Sequence, residues 1–425
     1  MNLQFTILTI SVNKSILYIA YHYPPVLGSS GVHRTLAFTR YLQERNWNVQ
    51  VISASLKAYD DWSQEQFSFI PKSVKVTRAY ARNVTKHYSI RGKYTKWMAL
   101  PDKWQSWIVG GFLSGLKAIR SHRPSVIVST YPIASAHVIA YLLHKATGIP
   151  WVADFRDPMV QNNYPKDKHQ KKVWEWIEKK AVKHCKKIIF TAPGALKLYK
   201  ERFPLVDKSV WQLIPNGFDE TMFEGLEVSS EPSPQPAGLI RLLHAGIVYP
   251  SERNPSALFK AIAELKRENR LSAENFQLWL RGTAHDEHYH ATLIELGVDD
   301  IVMLKPPVTY KKALQEMLEV ETLLLLQAKN CHYQVPAKAY EYIRARKPVL
   351  ALTEEDSDTG QLISGAGAAM LAPLDDVEKI KNVLLKFIEK VRDEKFEFLS
   401  EDSMMQYSRA YQGKKFIKLI EDVVG

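Results

Sequence analysis

Cysteine is almost missing. Cys185 and Cys331 are the two among 425 residues. That excludes a disulfide framework and any zinc site built on paired cysteines, and it fits a reducing cytoplasm. Long apolar runs are missing too. Phe5 to Val12 and Trp107 to Leu113 are apolar, but both fall short of the roughly 20 residues that cross a bilayer as a helix. Phe5 to Val12 also lacks a basic start and a clear small-residue cleavage site, so the expectation is a loose extension ahead of the first strand, not a signal peptide. The G-x-G-x-x-G fingerprint is absent, which argues against a nicotinamide enzyme. Acidic residues are in deficit: 45 Asp and Glu against 57 Lys and Arg leave a net charge of +12 and a pI near 9.3. Such a surplus favours an anionic partner: nucleic acid, a phosphate-bearing substrate or an anionic membrane. No nucleic-acid recognition motif accompanies the charge, so nucleic acid is not expected.

What is present is an alternation. Hydrophobic residues make up 46% of the chain, ordinary for a globular protein, and the length suggests two domains. Residues 16–20, 49–52, 125–129, 151–155 and 187–191 read as short buried strands. Helical stretches separate them, the first over 31–45 with Val32, Leu36, Phe38 and Leu42 among its apolar positions. A Pro- and Ser-rich stretch, Glu227 to Pro236, breaks the rhythm and reads as a linker. Alternation then resumes with strands at 240–243, 276–280, 301–304, 322–326 and 349–352, and helices over 375–393 and 404–423. The pattern predicts an α/β protein of two doubly wound, Rossmann-like domains facing a cleft. The expected division is 1–220, a linker at 221–238, 239–403, and a C-terminal helix over 404–425 packing back on the first domain. Ligands in such sheets bind at the carboxyl ends of the strands.

The segment from Val335 to Ile343 carries the most chemistry. Pro336 suits a first helical turn, where its missing N–H costs nothing. The free amides of that turn make an anion site, and Lys338 adds a positive charge. One turn on, Glu341 is placed to accept hydrogen bonds from hydroxyls. Phosphate on a helix start with a carboxylate one turn later suits a nucleotide-linked sugar. Each residue also has a plainer reading as a solvated helix position. Asp154, Arg156 and Asp157 lie together at a strand end, either as a site or as a structural ion network. His33 and His137 read as ordinary surface or packed histidines, and Asp356-Ser357-Asp358 as a loop after a strand, not a metal site.

Two segments interleave basic and aromatic residues. One runs from Arg82 through Arg91, Lys96 and Trp97 to Trp107. The other runs from Lys166 through Lys171, Lys172, Trp174, Trp176, Lys179 and Lys180 to Lys187. Tryptophan among lysines suits an anionic membrane interface. A solvated basic face with the tryptophans turned into the core is the other reading.

Five segments together resemble Glycosyltransferase Family 4 of the GT-B fold. They are Tyr23-Pro24-Pro25 with Gly28 to Arg34; Trp151 to Pro158; Ile214 to Asp219; His244 to Tyr249 through Arg253-Asn254-Pro255; and Val335 to Glu341. The resemblance implies a retaining, metal-independent hexosyltransferase-type enzyme with no cofactor beyond a nucleotide-sugar co-substrate. It places the donor on Gly28, Gly31, Gly246, Arg253, Lys338 and Glu341, with Asp154, Arg156 and Asp157 as catalytic candidates. It implies a lipid-linked or polysaccharide acceptor in bacterial surface-glycan synthesis, and a cytoplasmic protein that can sit on the inner face of the cell membrane. Two positions depart from the family. Tyr333 stands where a glutamate is usual, and Arg156 where the first domain usually has a histidine. These departures keep open a non-catalytic relative that binds a nucleotide or a partner.

Overall fold

The computed structural model describes residues 14–27, 30–91, 93–226 and 238–425. The expected extension over Phe5 to Val12, the linker from Glu227 to Pro236, and Gly28 therefore lie outside the described residues. The chain divides into two compact units. The first holds residues up to Thr191, Ala195–Ile214 and Gly413–Gly425; the second holds Ala192–Gly194 and Pro215–Gln412.

The first unit is built on seven parallel strands: β1 (Ser15–Ile19), β2 (Asn48–Ala54), β3 (Lys75–Ala79), β4 (Val126–Thr130), β5 (Trp151–Arg156), β6 (Lys187–Phe190) and β7 (Trp211–Leu213), in the order β3-β2-β1-β4-β5-β6-β7. β1, β4 and β5 are buried along their whole length, which is why they read in sequence as unbroken apolar runs. In register, Ile16 lies beside Val49 on one side and Val126 on the other. The strand order reverses between β1 and β4, so their carboxyl ends flank the crevice where such sheets take ligands.

The helix Arg409–Val424 ends in this unit. Phe416 stacks on Phe38 with ring centroids 4.2 Å apart. Ile417, Leu419 and Ile420 join the same core as Ile16, Tyr18 and Val128. Each such buried side chain contributes roughly 1.5–3 kcal/mol of apolar burial.

The second unit has six parallel strands: β8 (Ile240–Ala245), β9 (Phe276–Arg281), β10 (Val302–Lys305), β11 (Thr322–Leu326), β12 (Val349–Leu352) and β13 (Ala369–Ala372), ordered β10-β9-β8-β11-β12-β13. Its reversal falls between β8 and β11. The segment from Pro215 to Asp219 is stitched to residues 407–409: Phe218 N–H donates to Tyr407 O at 3.2 Å, and Arg409 N–H donates to Phe218 O at 2.7 Å. Gly217 permits this approach, since a Cβ there would stand 2.9 Å from Arg409 N. Glu220 is gripped by Arg344, whose Nε and Nη2 donate at 2.6 and 2.5 Å. These bonds explain why the division falls ahead of residue 220, at Ile214–Pro215.

Candidate functional site

In the second unit the chemistry gathers at the carboxyl ends of β8 and β11. β8 delivers His244, Ala245 and Gly246. Gly246 has φ +123°, a conformation side chains rarely adopt, and a Cβ there would collide with Lys338 Nζ. Glycine therefore lets the ammonium lie against the backbone. After β11 comes the helix Ala337–Ala345. Pro336 occupies its N-cap, one position ahead of the expected first turn, and no side chain caps the helix. Proline cannot cap with a side chain, so the opening amides are left for a ligand.

Lys338 is half-buried and makes no hydrogen bond or ion pair among the described residues. Burial, and then the nearby Arg253 guanidinium, pushes its pKa down to about 8, against the pull of Glu341. Arg253 donates from Nη1 to Ile247 O at 3.1 Å and lies over the Tyr249 ring. Among the described residues it has no carboxylate partner. Two cations and an uncapped helix start therefore lie together, with Glu341 the nearby carboxylate. Glu341 is buried, with 6% of its surface exposed. Its Oε1 accepts from the Tyr310 hydroxyl at 2.6 Å, which leaves Oε2 for a ligand hydroxyl. His244 donates from Nδ1 to Leu324 O at 2.9 Å, while its buried Nε2 has no partner. Burial first, and then Lys338, pushes its pKa down to about 3, so the ring stays neutral.

The first unit gathers a second cluster at the ends of β1, β4 and β5. Asp154 is fully buried. Arg34 grips it with two bonds, Nε to Oδ2 at 3.0 Å and Nη2 to Oδ1 at 3.1 Å. Thr130 Oγ1 donates to Oδ2 at 3.3 Å. Asp154 is thus engaged as a counter-ion. Arg156 closes a three-residue turn in which Asp157 N–H donates to Phe155 O at 2.6 Å. Its φ of +61° is strained for a side-chain-bearing residue. Thr191 clamps the turn, since both its N–H and its Oγ1 donate to Arg156 O at 2.9 Å. Burial raises the Asp157 pKa, with Arg156 opposing. Gly31 opens the helix Ser30–Glu44, and its carbonyl accepts from Thr35 Oγ1 at 3.0 Å.

The remaining sequence expectations sort plainly. His137 is packed in the core, with Nδ1 2.7 Å from Ser129 Oγ and its ring stacked on Phe155. Ser357 caps the helix Asp358–Gly365 by accepting from Gly360 N–H at 3.0 Å. Among the described residues, no group of three His, Cys, Asp or Glu side chains could hold a metal ion. The basic segments divide between their two readings. Trp107 and Trp174 are buried, whereas Trp97 is 64% and Trp176 44% exposed. Ile90, Val109 and Leu113 are also largely exposed. No described helix is long and apolar enough to cross a membrane. Nothing local in the sequence marks Tyr310 and Thr130, because each reaches its cluster from a distant part of the chain; His244 enters the sequence reading only as the start of the His244 to Tyr249 segment, not as a site residue.

Residues 31–221 match the model of Glycosyltransferase Family 4. The described chain as a whole has the GT-B fold, as the resemblance implied. Sucrose-phosphate synthase from Thermosynechococcus elongatus superposes with a TM-score of 0.67 at 13% identity, over 96% of this chain and 99% of that one. HepE from Anabaena, solved with UDP and glucose, gives 0.64 at 10% identity over 96% and 100%. WaaG, a glycosyltransferase of lipopolysaccharide biosynthesis, gives 0.60 at 12% identity over 93% and 95%. The fold is not confined to transferases: a UDP-N-acetylglucosamine 2-epimerase matches with a TM-score of 0.58 at 12% identity over 96% of this chain and 95% of that one. No curated protein sequence matches at a significant level.

Proposed function

We propose that the protein is a retaining glycosyltransferase that moves a sugar from a nucleotide-sugar donor to a lipid-linked or polysaccharide acceptor. The observation that carries this reading is the cluster of two cations and an uncapped helix start around Gly246. Lys338, Arg253 and the uncapped start of the helix Ala337–Ala345 supply charge where a leaving diphosphate gains it. They do so in place of a bound cation. Glu341 Oε2 accepts from the ribose hydroxyls while Tyr310 holds Oε1. HepE, solved with UDP and glucose, supports a UDP-linked donor. WaaG, named for lipopolysaccharide biosynthesis, supports a surface-glycan acceptor. The exposed Trp97, Val109 and Leu113 with the neighbouring lysines suit peripheral attachment to the inner face of a cell membrane.

Incubation with a panel of nucleotide sugars tests the reading. Transfer to a lipid-linked or glycan acceptor, or slow donor hydrolysis, is the expected result, and either persists in excess chelator. Isomerised donor without transfer indicates an epimerase. Binding without any turnover favours the non-catalytic relative, for which Tyr333 and Arg156 at two unusual positions speak.

A further inference from the structure

Arg156 is a buried cation that makes no direct ion pair among the described residues. Its side chain is more than nine-tenths buried, with 7% of the residue exposed. Nη1 donates to the neutral Tyr131 carbonyl at 3.1 Å. Nε is buried and has no partner. Among the described residues no carboxylate forms an ion pair with it: Arg34 grips both oxygens of Asp154, and Asp157 and Asp154 support its charge only through their field. His22 beside it stays neutral, pushed down to about 3 by burial and then by Arg156 itself. A buried guanidinium left unpaired is costly. The backbone that presents it is strained and clamped from the next strand by Thr191, and strain held in place this way marks functional positions. It also stands at the carboxyl end of β5, beside β4, whose own end flanks the crevice where such sheets take ligands.

We infer that Arg156 is the receptor for a phosphate or carboxylate carried by the acceptor. The inference rests on the transferase reading and adds the chemical class of its second substrate. Charge accounting separates this anion from the donor. The second unit already holds two unpaired cations, Lys338 and Arg253, and an open helix start for the diphosphate. Arg156 on the first unit is a third cation, and its planar fork matches a carboxylate or phosphate oxygen pair. An acceptor with a phosphorylated sugar, a uronic acid or a lipid-linked phosphate presents such a group. A neutral oligosaccharide does not.

The test uses the full chain and inorganic phosphate as the probe, with UDP at saturation to occupy the donor pocket. Calorimetry on the wild type is expected to show a phosphate site that persists in the presence of UDP. Arg156→Gln is expected to weaken phosphate binding about tenfold or more, the size of a lost charge-assisted hydrogen bond, while leaving UDP affinity unchanged. Arg156→Lys keeps the charge and the packing but not the fork, and is expected to fall in between. It serves as the readout if the glutamine variant fails to fold. Loss of UDP binding in step with phosphate binding would assign the anion to the donor and overturn the acceptor reading. Phosphate affinity unchanged in both folded variants, or no phosphate site beside UDP in the wild type, would overturn the site itself. A wild type that binds phosphate through Arg156 but no nucleotide sugar would instead overturn the transferase reading and leave the anion receptor standing.

Discussion

Placing the donor diphosphate against Lys338, as proposed, predicts pH-sensitive binding, and the size of the effect follows from the surroundings of the lysine. A lysine ammonium ordinarily titrates near 10.5; here burial and Arg253 hold it at about 8. In the ligand-free fold the charged form is therefore disfavoured. The cost is full below pH 8, shrinks between pH 8 and 10.5, and is gone above that. A drop of about 2.5 in pKa at roughly 1.4 kcal/mol each amounts to at most roughly 3.5 kcal/mol. A bound diphosphate supplies the missing negative charge and returns the lysine toward its ordinary value. Binding must then take up a proton, about 0.9 per UDP at pH 9 if the recovery is complete. On the same arithmetic UDP affinity falls about tenfold from pH 7 to pH 9. Calorimetry in buffers of different ionisation heat measures both quantities. Lys338→Met is the control for ionisation of the uracil ring and of the phosphates. It should bind UDP weakly, lose the excess proton uptake, and unfold at a higher temperature than the wild type at pH 7, with the gap closing above pH 8. Equal proton uptake in wild type and variant would refute the placement of the diphosphate against Lys338.

Glu341→Ala should weaken UDP-sugar binding by about 1–3 kcal/mol, as buried ribose hydroxyls lose their acceptor; Tyr310→Phe, which frees Oε1 without removing the carboxylate, should cost about 1 kcal/mol. Asp154→Asn leaves Arg34 buried without its counter-ion and should cost roughly 3–5 kcal/mol in urea unfolding. Gly217→Ala pushes a methyl against the backbone at Arg409 and should cost roughly 1–3 kcal/mol in the same assay, with no direct effect on the chemistry of the donor pocket. Replacing Lys171, Lys172, Lys179 and Lys180 by Ser should lower binding to anionic vesicles by about 1 kcal/mol per lysine at low salt, leaving UDP binding intact; flotation that shows no preference for anionic lipid counts against membrane attachment.

The interior of both sheets was legible because a strand covered on both faces must be apolar throughout. β4, β5, β11 and β12 announce themselves that way, and their observed bounds lie within a residue of those expected. The edges were not. β3 is exposed at Lys75 and only partly buried over the next three residues, β7 is three residues long, and β13 is four residues long and only partly buried over its first three. An edge strand needs apolar residues on too little of its surface to show a period. The same rule governs the sites. Pro336, Lys338 and Glu341 lie within two turns of one helix, so their order in the chain already places them together. Tyr310 reaches Glu341 from another helix, 31 residues away. Arg34 reaches Asp154 across 120 residues because β1 and β5 flank the same central strand. That pairing changes the chemistry: with Asp154 neutralised, the exceptional group at the strand end is Arg156. Its departure from the family's usual histidine was visible in the sequence. Its unpaired charge was not, because it depends on which side chain had already claimed the neighbouring carboxylate.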